Sequence, residues 1–236
     1  MDKSGNVYVT GETGNPLFPT TSNAYPPACP YTPNSITGCS ADFFVEVNPS
    51  LSGASALAYS SFFVGAGTAG ISSAGIAVDS GGLVYLTGTG GSITSNGWGF
   101  LAKFDLTAGT NGLDYMNYWP NNSAFPAYLT FTAAGALYVV GLVEDAYGVT
   151  TLGAYQTTFL GTGYYNAFVC QLAPATGNVL FGTLVGSAAA GGATVGTSVA
   201  TDAACPGSTS KRNGWAGIDT LGWLEGAAKA ATAAVK

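Results

Sequence analysis

The chain has 236 residues, with 6 Lys+Arg against 12 Asp+Glu, a formal net charge of −6 and no histidine. An acidic chain with so few basic residues lacks the electrostatic footprint of a nucleic-acid binder. Without histidine, neither Ser-His-Asp or Cys-His catalysis nor an imidazole-ligated metal can be built. Apolar residues make up 47%, enough to pack a core, and no uninterrupted apolar run of about eighteen residues predicts a membrane-spanning helix.

The chain opens on GNVYVTG at 5–11, a β-branched and aromatic run behind the turn Asp2-Lys3-Ser4. No basic start or apolar stretch of a signal peptide precedes it, so either the chain is cytoplasmic or its natural start lies elsewhere, and the repeats below favour the second. TTSNAY at 20–25 leads into an insertion closed by Cys29 and Cys39. Their spacing fits no zinc pattern, so a disulfide is expected, and with it an oxidising compartment. DFFVEVNP (42–49) and LAYSSFFVG (57–65) read as two more short strands. GAGTAG at 65–70 spells G-x-G-x-x-G, but the strand-like ISSAGIAVD follows it where a dinucleotide site needs a helix, so no cofactor is expected.

A second pass of the same pieces begins at GIAVDSGGLVYLTG (75–88) and continues through GFLAKFD (99–105) and LDYMNYW (113–119). A third runs through AYLTFTAA (127–134), GALYVVG (135–141), TTLGAY (150–155), AFVCQLAP (167–174) and VLFGTLVG (179–186). TSVATDAAC at 197–205 starts a fourth, with Asp202 in the place of Asp2 and Asp79, and then the pattern stops. Four pieces in fixed order are an internal repeat. Each piece is short, rich in Val, Tyr, Phe and Thr, and bounded by turn residues, which predicts strands. Apolar residues on both faces of VYLTG and LYVVG predict sheets covered on both sides. The fold class expected is all-β, with propeller-type blades of four antiparallel strands.

The units resemble the bacterial seven-bladed β-propeller repeat, the SBBP repeat. GIAVDSGGLVYLTG, LFPTTSNAY, ADFFVEVNP and LAYSSFFVG carry the likeness, which covers about residues 1–204. The units fall at about 1–66, 67–121, 122–187 and, in part, 188–204; the second has lost its FPTT-type segment in GTGGSITSNGWG (88–99). About three blades cannot close an ordinary ring, so a segment of a larger ring is expected, with the remaining blades as its partners. Residues 205–236, with Cys205 and a solitary S-x-x-K at Ser208–Lys211, break the pattern and read as a weakly helical stretch or a truncated end.

Candidate chemistry is sparse. Asp2 with Gly5 and Asp79 with Gly82 are expected to shape hairpin turns, since one carboxylate per turn is too few for a calcium site. Glu12, Glu144 and Asp145 at strand exits, and Trp98 in a loop, are candidate ligand-facing positions. Trp119 and Tyr164-Tyr165 are expected to fill the core between blades, and Cys170 to be buried. The resemblance implies an extracellular or cell-surface setting but no defined activity. The expected function is a non-catalytic binding or scaffold module whose ligand is a carbohydrate or another surface protein. The rival is a fragment of a polysaccharide hydrolase or lyase, which needs convergent carboxylates. An outer-membrane barrel is disfavoured by strands apolar on both faces.

Overall fold

The computed structural model describes residues 1–25, 29, 41–63, 71–90, 99–119, 124–146, 148–160, 165–186 and 193–201. The expectations for Cys39, Trp98, Tyr164, GAGTAG and the tail lie outside them. The described residues form eleven strands: β1 Val7–Thr13, β2 Ala41–Val47, β3 Leu57–Phe63, β4 Ile71–Val78, β5 Val84–Gly90, β6 Gly99–Phe104, β7 Leu113–Tyr118, β8 Ala124–Phe131, β9 Leu137–Val143, β10 Asn166–Leu172 and β11 Val179–Val185. The only helices among them are short 3-10 turns at Gly53–Ala56 and Leu106–Asn111.

The strands make three antiparallel meanders, β1-β2-β3, β4-β5-β6-β7 and β8-β9-β10-β11. The chain is therefore all-β, with the strand content the repeats predict: three strands, then four, then four. The registers superpose the sheets residue by residue, because Val7 faces Val47, Val84 faces Phe104 and Leu137 faces Leu172. Even the irregularities recur. The ladder shifts at Glu46/Val47, Lys103/Phe104 and Gln171/Leu172, and again at Ser73/Gly75 and Pro126/Tyr128.

The hairpin turns show why the repeat keeps an oxygen-bearing residue before each VYVTG-like strand. Asp79 Oδ1 accepts from the amides of Gly81 at 2.8 Å and Leu83 at 3.0 Å, while Gly82 sits at φ 88°. Asp2 Oδ1 accepts from Ser4 and Asn6 in the same way, with Gly5 at φ 86°. At the third turn Thr132 Oγ1 takes this place, accepting from Ala136, with Gly135 at φ 83°. A side-chain oxygen holds the turn amides, and glycine supplies the left-handed residue without a Cβ clash.

The sheets pack face to face, with β4 lying against β1, and β8 against β4 and β5. Strand alternation sends Val84, Leu86, Phe100, Ala102 and Phe104 toward Phe44, Tyr59 and Phe63 of the first sheet. Tyr85 and Leu101 point the other way, toward Leu129, Leu137, Val139 and Phe168 of the third. The middle sheet is thus apolar on both faces because both are covered, and the removal of this area from water drives the stacking.

The TTSNAY and TTLGAY segments also serve one purpose. Thr21 exchanges hydrogen bonds with the backbone of Ser60 on β3, and Thr151 does the same with Gly182 on β11. Each segment therefore lines the outer edge strand of its sheet.

Candidate functional site

Three near-identical sheets supply an internal control. What recurs at equivalent positions belongs to the scaffold; what differs between sheets is where function is to be sought. Two places differ.

The first is the outer edge of the middle sheet. Its unit has lost the TT-x-x-AY segment, and among the described residues nothing takes its place along β7. A groove of about 420 Å³ opens there, lined by Met116, Asn117, Tyr118 and Trp119 on one side and by Gly148 and Gly177–Val179 on the other. Its floor is firm. Trp119 is buried against Phe168, 6.0 Å between ring centroids. Asn117 donates its Nδ2–H to the Thr176 carbonyl, and Tyr115 donates its hydroxyl to Pro174 O at 3.0 Å, so the β10–β11 turn is pinned to β7. Burial and the charge of Asp114 push the Tyr115 hydroxyl up to about 12, so it stays a donor. Among the described residues the lining carries aromatic faces, amides and exposed backbone, and no ionisable side chain apart from the Tyr118 phenol. Such a surface stacks and hydrogen-bonds neutral, hydroxyl-rich ligands.

The second is the seam between the first and middle sheets. Glu12 and Asp42 face each other across β1 and β2. Asp42 is fully buried, accepting from the Ser73 amide of β4 at 2.5 Å, and its Oδ1 has no hydrogen-bond partner. Beside it the Thr10 and Ser73 hydroxyls meet at 2.7 Å. Burial pushes the Asp42 carboxyl up to about 7; the Ser73 amide and hydroxyl work against this and the Glu12 charge adds to it. The equivalent residues in the other sheets are Gly99 and Ala167, which bring no charge. Asp42 is therefore no part of the repeat's scaffold.

The residues singled out from sequence fall in separate places. Glu12 is exposed and belongs to β1 itself, whereas Glu144 follows the end of β9. They are not equivalent strand exits: the register matches Glu12 to Leu142, because Gly11 and Gly141 occupy the same place opposite Phe43 and Phe168. Two intervening residues shift Glu144 off the strand. Asp145 is half-buried in the turn that follows. Trp119 lies in the core yet still edges the groove, while Tyr165 packs edge-on against Phe125 at 6.4 Å. Cys29 is disulfide-bonded, its partner lying outside the described residues, and Cys170 is a free, fully buried thiol. Burial drives the Cys170 thiol far above its ordinary range, which suits packing and not nucleophilic chemistry. Among the described residues no cluster of three or more metal-ligating side chains occurs, and no helix is long and apolar enough to cross a membrane.

Sequence reasoning passed over both Asp42 and the β7 groove. The signals were present: the aligned pieces DFFVEVNP, GFLAKFD and AFVCQLAP begin on Asp, Gly and Ala, and the missing FPTT segment marks the open edge. Compared with known proteins, the chain matches no family model and no curated sequence.

Proposed function

We propose that the chain is a run of propeller blades of the SBBP-repeat type, acting as a non-catalytic binding module at the cell surface, with a neutral carbohydrate as its ligand in the β7 groove. The observation that carries this reading is the groove itself. It opens where one repeat departs from the others, its walls belong to two packed sheets, and its described lining residues offer Tyr118, Asn117 and Asn178 without a charged group. Face-to-face sheets whose first strands adjoin support the blade arrangement. The Cys29 disulfide supports an oxidising setting.

The rival reading, a glycan hydrolase or lyase, has a cross-strand carboxylate pair to draw on at Glu12 and Asp42, while Asp2 and Glu46 are both tied up by the Asn6 side-chain amide. The environments of Glu12 and Asp42 differ as an acid and a base require. Asp42, however, lies sealed beneath Ser73 and does not face solvent where a glycosidic bond would sit.

Titration calorimetry of the full chain against neutral polysaccharides tests the proposal. Binding that Tyr118→Ala weakens at least tenfold, and that Glu12→Gln leaves unchanged, is expected. Turnover of a glycan lost in Glu12→Gln would replace this reading with the enzymatic one, and no binding across a broad panel would remove the carbohydrate.

A further inference from the structure

The register of the first sheet gathers oxygen-bearing side chains at one end of the first seam. Thr10 and Glu12 lie two apart on β1, and Glu12 faces Asp42 of β2. Residues directly opposite in an antiparallel pair, and residues two apart on one strand, share a face. Ser73 of β4 folds onto that face: its amide donates to Asp42, and its hydroxyl lies 2.7 Å from that of Thr10. Thr10 donates its own hydroxyl to Phe43 O at 2.9 Å, which leaves its oxygen lone pairs to the cluster.

The second seam shows how the same place is built without charge. Ser73 and Pro126 occupy one step of their bulged strands, opposite Gly88 and Gly141. Glu12 and Asp42 give way there to Thr89 and Gly99. Gly99 leaves no room: a Cβ would come within 2.6 Å of Ala124 O and 2.7 Å of the Pro126 ring. Neutral, tightly packed groups thus close the second seam. In the first, two carboxylates stand opposed, and the buried one has an oxygen, Oδ1, that takes no hydrogen bond. A buried carboxylate left half-satisfied beside a like charge is costly unless a cation joins the two. The Ser73 amide accounts for one Asp42 oxygen; nothing in the packing accounts for the other.

We propose that Asp42, Glu12, Thr10 and Ser73 form a binding site for one calcium ion, which clamps the first sheet to the middle sheet. Two carboxylates balance the double charge, and the hydroxyls add neutral oxygens of the kind hard cations take. Calcium is favoured over magnesium because it accepts an irregular set of oxygens, whereas magnesium demands a near-ideal octahedron and dehydrates reluctantly. The ligands come from β1, β2 and β4, so the ion joins strands that only folding brings together. Glu12 is exposed, so a small ion reaches the cluster from the rim, where water completes its coordination. Glu12 is the charged group facing Asp42; β3 and β4 bring Phe63 and Ser73 against it. The proton that Asp42 keeps up to about pH 7 competes with the ion, so binding strengthens as pH rises through that value. The site is separate from the β7 groove and does not rest on the carbohydrate reading.

Titration calorimetry of the full chain, stripped with a chelator, tests this with calcium chloride and magnesium chloride at pH 8 and pH 6. One calcium per chain is expected at pH 8, with affinity about tenfold lower at pH 6 and magnesium binding more weakly than calcium. A hundredfold excess of calcium over its Kd should raise the thermal midpoint by about 5–10 °C. Asp42→Asn and Glu12→Gln, each shown folded by circular dichroism, should lose at least tenfold in affinity and most of that rise. Glu144→Gln, beyond β9 in the third sheet, should lose neither. No calcium binding up to about 10 mM at pH 8, or binding that Asp42→Asn and Glu12→Gln both leave intact, overturns the site. A thermal midpoint that follows pH and ignores calcium gives Asp42 a proton alone and overturns it equally. Magnesium binding as tightly as calcium overturns the choice of ion.

Discussion

The two seams of the molecule are built on one plan and filled differently. Between the first and middle sheets the core is aromatic: Phe44, Phe63 and Phe104 meet with ring centroids 4.8–6.4 Å apart, and Tyr59 stacks on Phe44 at 5.4 Å. Between the middle and third sheets it is mostly aliphatic, with Leu129, Leu137, Val139 and Leu172 around Phe168. Among the described residues the first seam buries a carboxylate, Asp42, and the second adjoins the β7 groove. Backbone register and turn chemistry are shared, so side-chain volume and polarity at equivalent positions make the difference. The same sheet frame tolerates both fillings because each seam is packed to its own complement.

The largest effect should come from emptying the aromatic seam. Phe104→Ala removes a fully buried ring with neighbours on three sides and should cost about 3–5 kcal/mol in urea unfolding, against about 2–5 kcal/mol for Leu129→Ala in the second seam. Equal costs from both, with the seams unfolding in one transition, would mean that the two fillings are energetically interchangeable.

Next comes the buried carboxylate. The Asp42 pKa is raised in the folded state, so the native protein holds a proton that the unfolded chain releases near pH 4. Stability should therefore fall as pH rises from about 4 to about 7, then level off. Asp42→Asn should remove this slope and raise stability at pH 8 by about 1–3 kcal/mol, measured by urea midpoints across pH. A slope that survives the substitution would assign the titration elsewhere.

Smaller still is the shared turn. Asp79→Ala frees two amides at a half-exposed site and should cost about 1 kcal/mol, while Asp79→Asn, which keeps an accepting oxygen, should recover most of it. The least effect belongs to the pair of Lys103 and Asp114, 2.9 Å apart, in which the Lys103 stem is largely covered and the Asp114 carboxylate is exposed. Lys103→Ala should change the unfolding free energy by less than about 0.5 kcal/mol.

Much of this architecture was legible because the repeat states it three times. Period-2 strands, oxygen-then-glycine turns and apolar residues on both faces locate the strands and say that the sheets are covered. What stayed hidden depends on contacts between units. Asp42 reads as the polar opening of a strand, and only β4 folding over it, with Ser73 31 residues away, makes it a buried acid. Glu12 and Glu144 look alike beside their glycine-ended strands, yet counting from Gly11 and Gly141 along the ladder separates them. Trp119, by contrast, is expected in the core from its residue type and lies there against Phe168. Burial in each case is decided by the neighbouring sheet, which no single unit contains.

The stacking of sheets through their first strands is the central claim, and one measurement addresses it directly. Thr10 and Ser73 meet across β1 and β4 with their hydroxyls 2.7 Å apart, within reach of a disulfide between the two positions. The double variant Thr10→Cys, Ser73→Cys should form that bond on mild oxidation, found by peptide mapping under non-reducing conditions, in a protein whose circular dichroism is unchanged. Two thiols that stay free and separately alkylated in the folded protein would contradict the face-to-face arrangement of the sheets.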